Sequence, residues 1–184
     1  MLSNRFVFAF AGSALLAAGA PAAAKNPMVG GAAMYPSRTI VENAVNSKDH
    51  TTLVAAVKAA GLVETLSGKG PFTVFAPTDA AFAKLPAGTV DTLLQPANKA
   101  ALQKVLTYHV VAGKVTAEQL IGQIRAGGGR ATVTTVEGGP LVATLDGGKV
   151  VLTDEKGGKA KVVATDLKDS NGIIHVTDAV SIPS

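Results

Sequence analysis

The residues that invite a chemical reading are the three histidines, their neighbours Tyr108 and Asp49, and the aspartates Asp79 and Asp178. His109, His175 and Asp178 could in principle supply ligands to a zinc ion. They lack a close ligand spacing such as His-Glu-x-x-His, however, and the chain has no cysteine to complete a set. A satisfied, partly buried imidazole is the better reading for His109 and His175. His50, beside Asp49 at the start of a helix, reads as a solvated loop histidine. Nucleophilic catalysis has no better support, with no Gly-x-Ser-x-Gly elbow and the serines falling at turns and caps. The glycines at 127–129, 138–139, 147–148 and 157–158 each lead into β pattern, whereas a phosphate-binding loop leads into a helix. No catalytic residue, metal or cofactor is expected.

Tyr108-His109 admits two readings, a contact site or a structural pair where a helix meets a strand. A buried tyrosine needs a partner for its hydroxyl, and a neighbouring histidine commonly gives a ring N–H to a carboxylate or carbonyl. Asp79, in the first turn of a helix where the dipole favours its charge, is the candidate partner for His109.

The elements that must position these groups follow from periodicity and caps. Ser37 can cap a short helix through Ile40, Val41, Ala44 and Val45. Thr51 and Thr52 open a second helix through Leu53, Val57 and Ala60, with Gly61 where a left-handed cap is wanted. Phe72 to Ala76 is apolar at both parities, as in a strand covered on both faces, and Pro77 ends it. Thr78 caps the helix that carries Asp79, Phe82 and Leu85 inward. Val90 to Leu94 gives one helical turn, Pro96 to Tyr108 a longer helix, His109 to Gly113 an extended segment, and Thr116 caps a helix through Leu120 and Ile124.

Beyond the glycines at 127–129 the pattern is β. Thr132 to Val136, Leu141 to Leu145, Lys149 to Thr153 and Ala160 to Ala164 are joined by short Gly-containing turns, an antiparallel meander. Asn171-Gly172 is a strong turn signal, and a strand should begin at Ile173. At period two Ile174, Val176, Val180 and Ile182 form its apolar face, with Ile173, His175, Thr177 and Ser181 opposite. Asp178 breaks the pattern, so it is either paired and buried or re-aimed by a bulge. Helices first and strands later indicate an α+β domain.

At 184 residues the chain has room for one domain and a leader. Its net charge of +4 is spread singly, without the basic arm or aromatic ladder of a nucleic-acid binder. Arg5, the apolar run Phe6 to Ala18 and Ala22-Ala23-Ala24 read as a signal peptide over 1–24. The run is shorter than the ~20 residues of a membrane span and is followed by Gly19 and Pro21. Residues 25–36 read as a flexible lead-in, and the expected location is periplasmic or secreted.

Phe72-Thr73-Val74-Phe75-Ala76-Pro77-Thr78-Asp79-Ala80-Ala81-Phe82 resembles the first conserved segment of fasciclin-like domains. Tyr108-His109 resembles their central pair, and Asp166 through Pro183, including Asn171, Gly172, His175 and Asp178, resembles the second segment. Order and spacing agree over residues 37–183. The resemblance implies a β-wedge of mostly antiparallel strands with a cluster of helices from the N-terminal half, and a binding module for cell-surface or matrix proteins or glycans. It implies contact residues at Tyr108 and His109, and at Asp166-Leu167, where animal members linked to integrin binding carry aspartate-isoleucine. Thr78, Asp79, Asn171, Gly172, His175 and Asp178 are read as structural members of the motifs. A periplasmic carrier of a small apolar ligand or lipid is the alternative, and an envelope hydrolase a third reading.

Overall fold

The computed structural model describes residues 26–184, and the leader expected over residues 1–24 lies outside them. In chain order the elements are β1 (Met28–Val29), β2 (Ala32–Ala33), α1 (Ile40–Asn46), α2 (Thr51–Ala60), α3 (Val63–Ser67), β3 (Phe72–Pro77), α4 (Asp79–Ala83), α5 (Thr89–Leu94), α6 (Lys99–Tyr108), β4 (Val110–Ala112) and α7 (Ala117–Ala126). Five strands follow: β5 (Arg130–Thr134), β6 (Pro140–Asp146), β7 (Lys149–Thr153), β8 (Lys159–Asp169) and β9 (Gly172–Thr177). The α+β class and the wedge are as expected.

Local chemistry accounts for most of the boundaries. Thr39, two residues later than the cap expected at Ser37, opens α1 with a full capping box to Glu42. Thr78 caps α4 and Thr116 caps α7 through their side-chain oxygens. Gly61 ends α2 at φ +70°, a conformation costly for any residue with a Cβ.

β5 to β9 form an antiparallel meander, and β9 then pairs in parallel with β3, giving the order β4-β3-β9-β8-β7-β6-β5. The parallel pairing joins residues a hundred positions apart, and no local pattern announces it. β3 and β9 separate two cores. On one side Val74, Ala76, Ile174 and Val176 pack with Ile40, Leu53, Val57, Leu102 and Leu106 from the helices. On the other, Phe75 lies with Tyr108, Leu120, Ile124, Leu141 and Leu152 inside the curled half of the sheet. This is why β3 is apolar at both parities.

β9 departs from the expected pattern in two ways. It ends at Thr177, short of Pro183, and the face read as polar is also covered, with Ile173, His175, Thr177 and Ser181 all buried. β8 runs five residues past the expected end at Ala164, through irregular pairing around Ala164 and Leu167. Asp166 sits there at φ +55°, and the shift returns Leu167 to the helix-side core. The lead-in expected to be flexible instead holds the β1–β2 hairpin and places Met34 in that core at 2% exposure.

Candidate functional site

The edges of the curled sheet meet near the tyrosine-histidine pair. Val136, just beyond β5, donates its N–H to the Val110 carbonyl of β4 at 2.7 Å. Tyr108, fully buried at the end of α6, donates its hydroxyl to the Pro140 carbonyl at 2.7 Å and accepts the Glu155 N–H at 3.3 Å. Burial pushes its phenol up to about 12, so it remains a donor. His109 donates Nδ1–H to the Val105 carbonyl at 2.7 Å and accepts the Ser181 N–H at Nε2 at 2.9 Å. Burial lowers its pKa and favours this neutral form.

The pair therefore locks α6, β4, the meander and the C-terminal segment together. Side chains this buried cannot meet a partner, which overturns the contact role expected for Tyr108 and His109. Asp79 is not the partner of His109. Its carboxylate caps α2, accepting from the Thr51 hydroxyl at 2.6 Å and the Thr52 N–H at 2.8 Å. Partial burial opposes the charge, but the bonds from Thr51 and Thr52 outweigh it and the net pKa shift is downward.

His175 repeats the arrangement. Its Nδ1 accepts the Asp166 N–H at 3.3 Å, its Nε2 donates to the Val115 carbonyl at 2.8 Å, and its ring stacks on Phe75. Burial again lowers the pKa. Of the dipeptide expected at a contact surface, Leu167 is in the core and Asp166 accepts the Ala117 N–H at 2.9 Å, at the start of α7. Only Asp166 remains partly accessible. Asp178 is paired but not buried, and no bulge re-aims it, because β9 ends one residue before it. It lies just past β9, half-exposed, accepting the Lys161 N–H at 2.8 Å and facing Lys84 at 3.6 Å.

His50 contradicts its expected place in solvent. It is 3% exposed, with Nδ1 against the Ser47 hydroxyl at 2.9 Å and Nε2 facing the Ala76 carbonyl without completing a bond. Burial lowers its pKa.

The turn motif is a clasp. The Asn171 side chain accepts the Ile40 N–H at 3.0 Å and donates to the carbonyls of Leu66 at 2.7 Å and Gly68 at 3.0 Å. Gly172 has no room for a Cβ, which would meet the Phe72 carbonyl. Two members escaped sequence reading. Asn43 in α1 donates to Asp169 of β8 and bonds both backbone groups of Tyr35. Burial pushes the Asp169 carboxyl up to about 7 against the pull of the Asn43 bond, and its second oxygen has no partner. These residues lie 126 positions apart, so only hydropathy could have flagged them. Among the described residues no three of His, Cys, Asp and Glu gather as metal ligands. No described helix is long and apolar enough to cross a membrane.

A wedge of curled sheet on a helix cluster, locked by a buried tyrosine-histidine pair and an asparagine-glycine clasp, defines a class of domain. The family model for the fasciclin domain matches residues 48–183, and the chain belongs to that family. Protein sll1483 of Synechocystis is 49% identical over 160 residues, covering 86% of this chain and 81% of that protein. The immunogenic protein MPB70 of Mycobacterium bovis is 35% identical, covering 96% of this chain and 93% of its own. The cell surface glycolipoprotein MPB83 of the same species is 35% identical, covering 88% and 68%. The structure of a FAS1 domain pair from the insect cell adhesion molecule fasciclin I matches with a TM-score of 0.69 at 19% identity. That match covers 78% of this chain, which spans half of the two-domain insect chain, and it shows the shared fold.

Proposed function

We infer that the chain is an exported binding module, periplasmic or secreted, that contacts cell-envelope, matrix or partner-cell components through its surface and carries out no reaction. One observation carries this reading: Tyr108, His109, Asn171 and His175 of the family motifs are turned inward and bonded to the protein's own backbone. Their geometry is that of braces. The surface is what remains for recognition. The names of the relatives support the reading, since one is a cell surface glycolipoprotein and the insect neighbour a cell adhesion molecule.

The apolar cavities between helices and sheet weigh against a carrier. They measure about 10 and about 30 Å³, room for a water or two. A ligand pocket takes roughly 300 Å³ or more.

The test is a binding screen of the purified protein against envelope glycans, lipids and matrix proteins, with native mass spectrometry beside it. Saturable binding by a protein free of small molecules is expected. No binding, together with a co-purified apolar molecule, would replace the module with a carrier.

A further inference from the structure

The meander β5–β8 turns one face inward, where Ala131, Val133, Leu141, Ala143, Leu152 and Ala160 are buried. Its register fixes what lies on the other. One row across the four strands reads Arg130, Thr144, Val151, Lys161, and the next Thr132, Val142, Thr153, Lys159. Arg130, Thr132, Lys159 and Lys161 are exposed, as are Lys149 and Thr134 on the same side of their strands. The face thus presents four cations. Within the four strands its one carboxylate is Asp146, which pairs with Lys161 at 3.1 Å, both partners being more than half exposed, so the bond is readily exchanged for another anion. Asp178, opposite Lys161 just past β9, is turned to Lys84.

The apolar groups are three valines and the exposed Pro140, without an aromatic. Val151 is 4% exposed, Val142 is half-buried, and Val163 alone stands out at 53%. A protein partner would want aromatic or long apolar anchors at the centre of the contact. Docking to a bilayer would want side chains that enter it. Neither is provided. Ammonium and guanidinium groups interleaved with threonine hydroxyls suit a hydroxylated polyanion instead. At about 4.8 Å per strand, Arg130 and Lys161 stand roughly 14 Å apart, a span that a chain of acidic sugars can follow.

We propose that the outer face of β5–β8 is the docking surface for an acidic polysaccharide, held by Arg130, Lys149, Lys159 and Lys161. This rests on the reading of the chain as a surface-contact module and names its partner class.

Polygalacturonate is the probe, with neutral dextran and phosphatidylglycerol vesicles beside it. Binding to polygalacturonate should weaken with added salt and be absent for dextran. The triple variant Arg130→Gln, Lys159→Gln, Lys161→Gln, with an unchanged circular dichroism spectrum, should bind about tenfold more weakly. The control Lys58→Gln, Lys69→Gln, Lys114→Gln removes the same charge elsewhere and should change affinity by less than about twofold. Equal losses in both variants would reduce the effect to net charge and overturn the assignment. Tighter binding to the vesicles than to polygalacturonate would overturn it in favour of lipid. A triple variant that keeps full binding to a component found in the envelope screen would overturn the face and leave the module standing. A wild-type protein that binds nothing in either experiment would remove both.

Discussion

At His109 and His175 the imidazole behaves like a peptide group, donating at one nitrogen and accepting at the other. Each ring is held neutral, with its pKa below the ordinary 6.5. An unfolded chain gains these protons below about 6.5 and the folded chain does not. Their contribution is therefore full above that pH and lost as the pH falls. Asp169 acts in the opposite direction, because its carboxyl stands at about 7 in the fold against an ordinary 3.8. Between those values the folded state holds the extra proton, and stability falls as the pH rises. Asp169→Asn keeps an acceptor for Asn43 and removes the ionisation. Urea denaturation should show its advantage over the wild type growing from pH 4.5 to pH 8, where an advantage constant with pH would mean that Asp169 does not titrate in this window. Tyr108→Phe leaves the Pro140 carbonyl and the Glu155 N–H without their partner, and should cost about 1–3 kcal/mol in the same measurement. Tyr108→Ala is a poor surface probe, since emptying a fully buried site costs about 3–5 kcal/mol.

Among the elements, α2 depends on a cap that comes from another helix. Asp79 of α4 accepts from Thr51 and Thr52, while His109 bonds only Val105 and Ser181. Asp79→Ala should cost about 1 kcal/mol. Combined with His109→Ala, its loss should add within about 0.5 kcal/mol, and a larger coupling would mean a contact between the two sites. Capping and period were legible in the sequence because both are local. Thr78, Thr116 and Gly61 announced their ends, and Phe72 to Ala76 announced a strand covered twice. What stayed hidden was decided at long range. Thr165 to Asp169 is too polar to read as strand, yet β8 continues through it because a positive φ at Asp166 returns Leu167 to the core. The Gly- and Ala-rich stretch before Ser37 lacked any period, yet Met34 anchors it. His50 read as solvated because the residues that line a small cavity with it, Val29, Met34 and Leu167 among them, come from other segments of the chain. At the candidate site the motif residues were legible as a set. Their inward direction was not, because Pro140, Val115 and Ser181, which receive them, carry no signal of their own.

On the scale of the molecule, β9 lies inside the sheet, between β3 and β8, with Ile174 and Val176 in the helix-side core and His175 stacked on Phe75 of the other. A chain ending at Asn171 would leave β3 and β8 each with an open edge and both cores uncovered. It should show no cooperative unfolding transition, and a sharp transition in such a fragment would mean that one half folds alone. The strand that completes the fold is thus the last of the domain's elements in chain order to be synthesised. Until it arrives the domain has nothing to close around, and a growing chain stays threadable until β9 has been added.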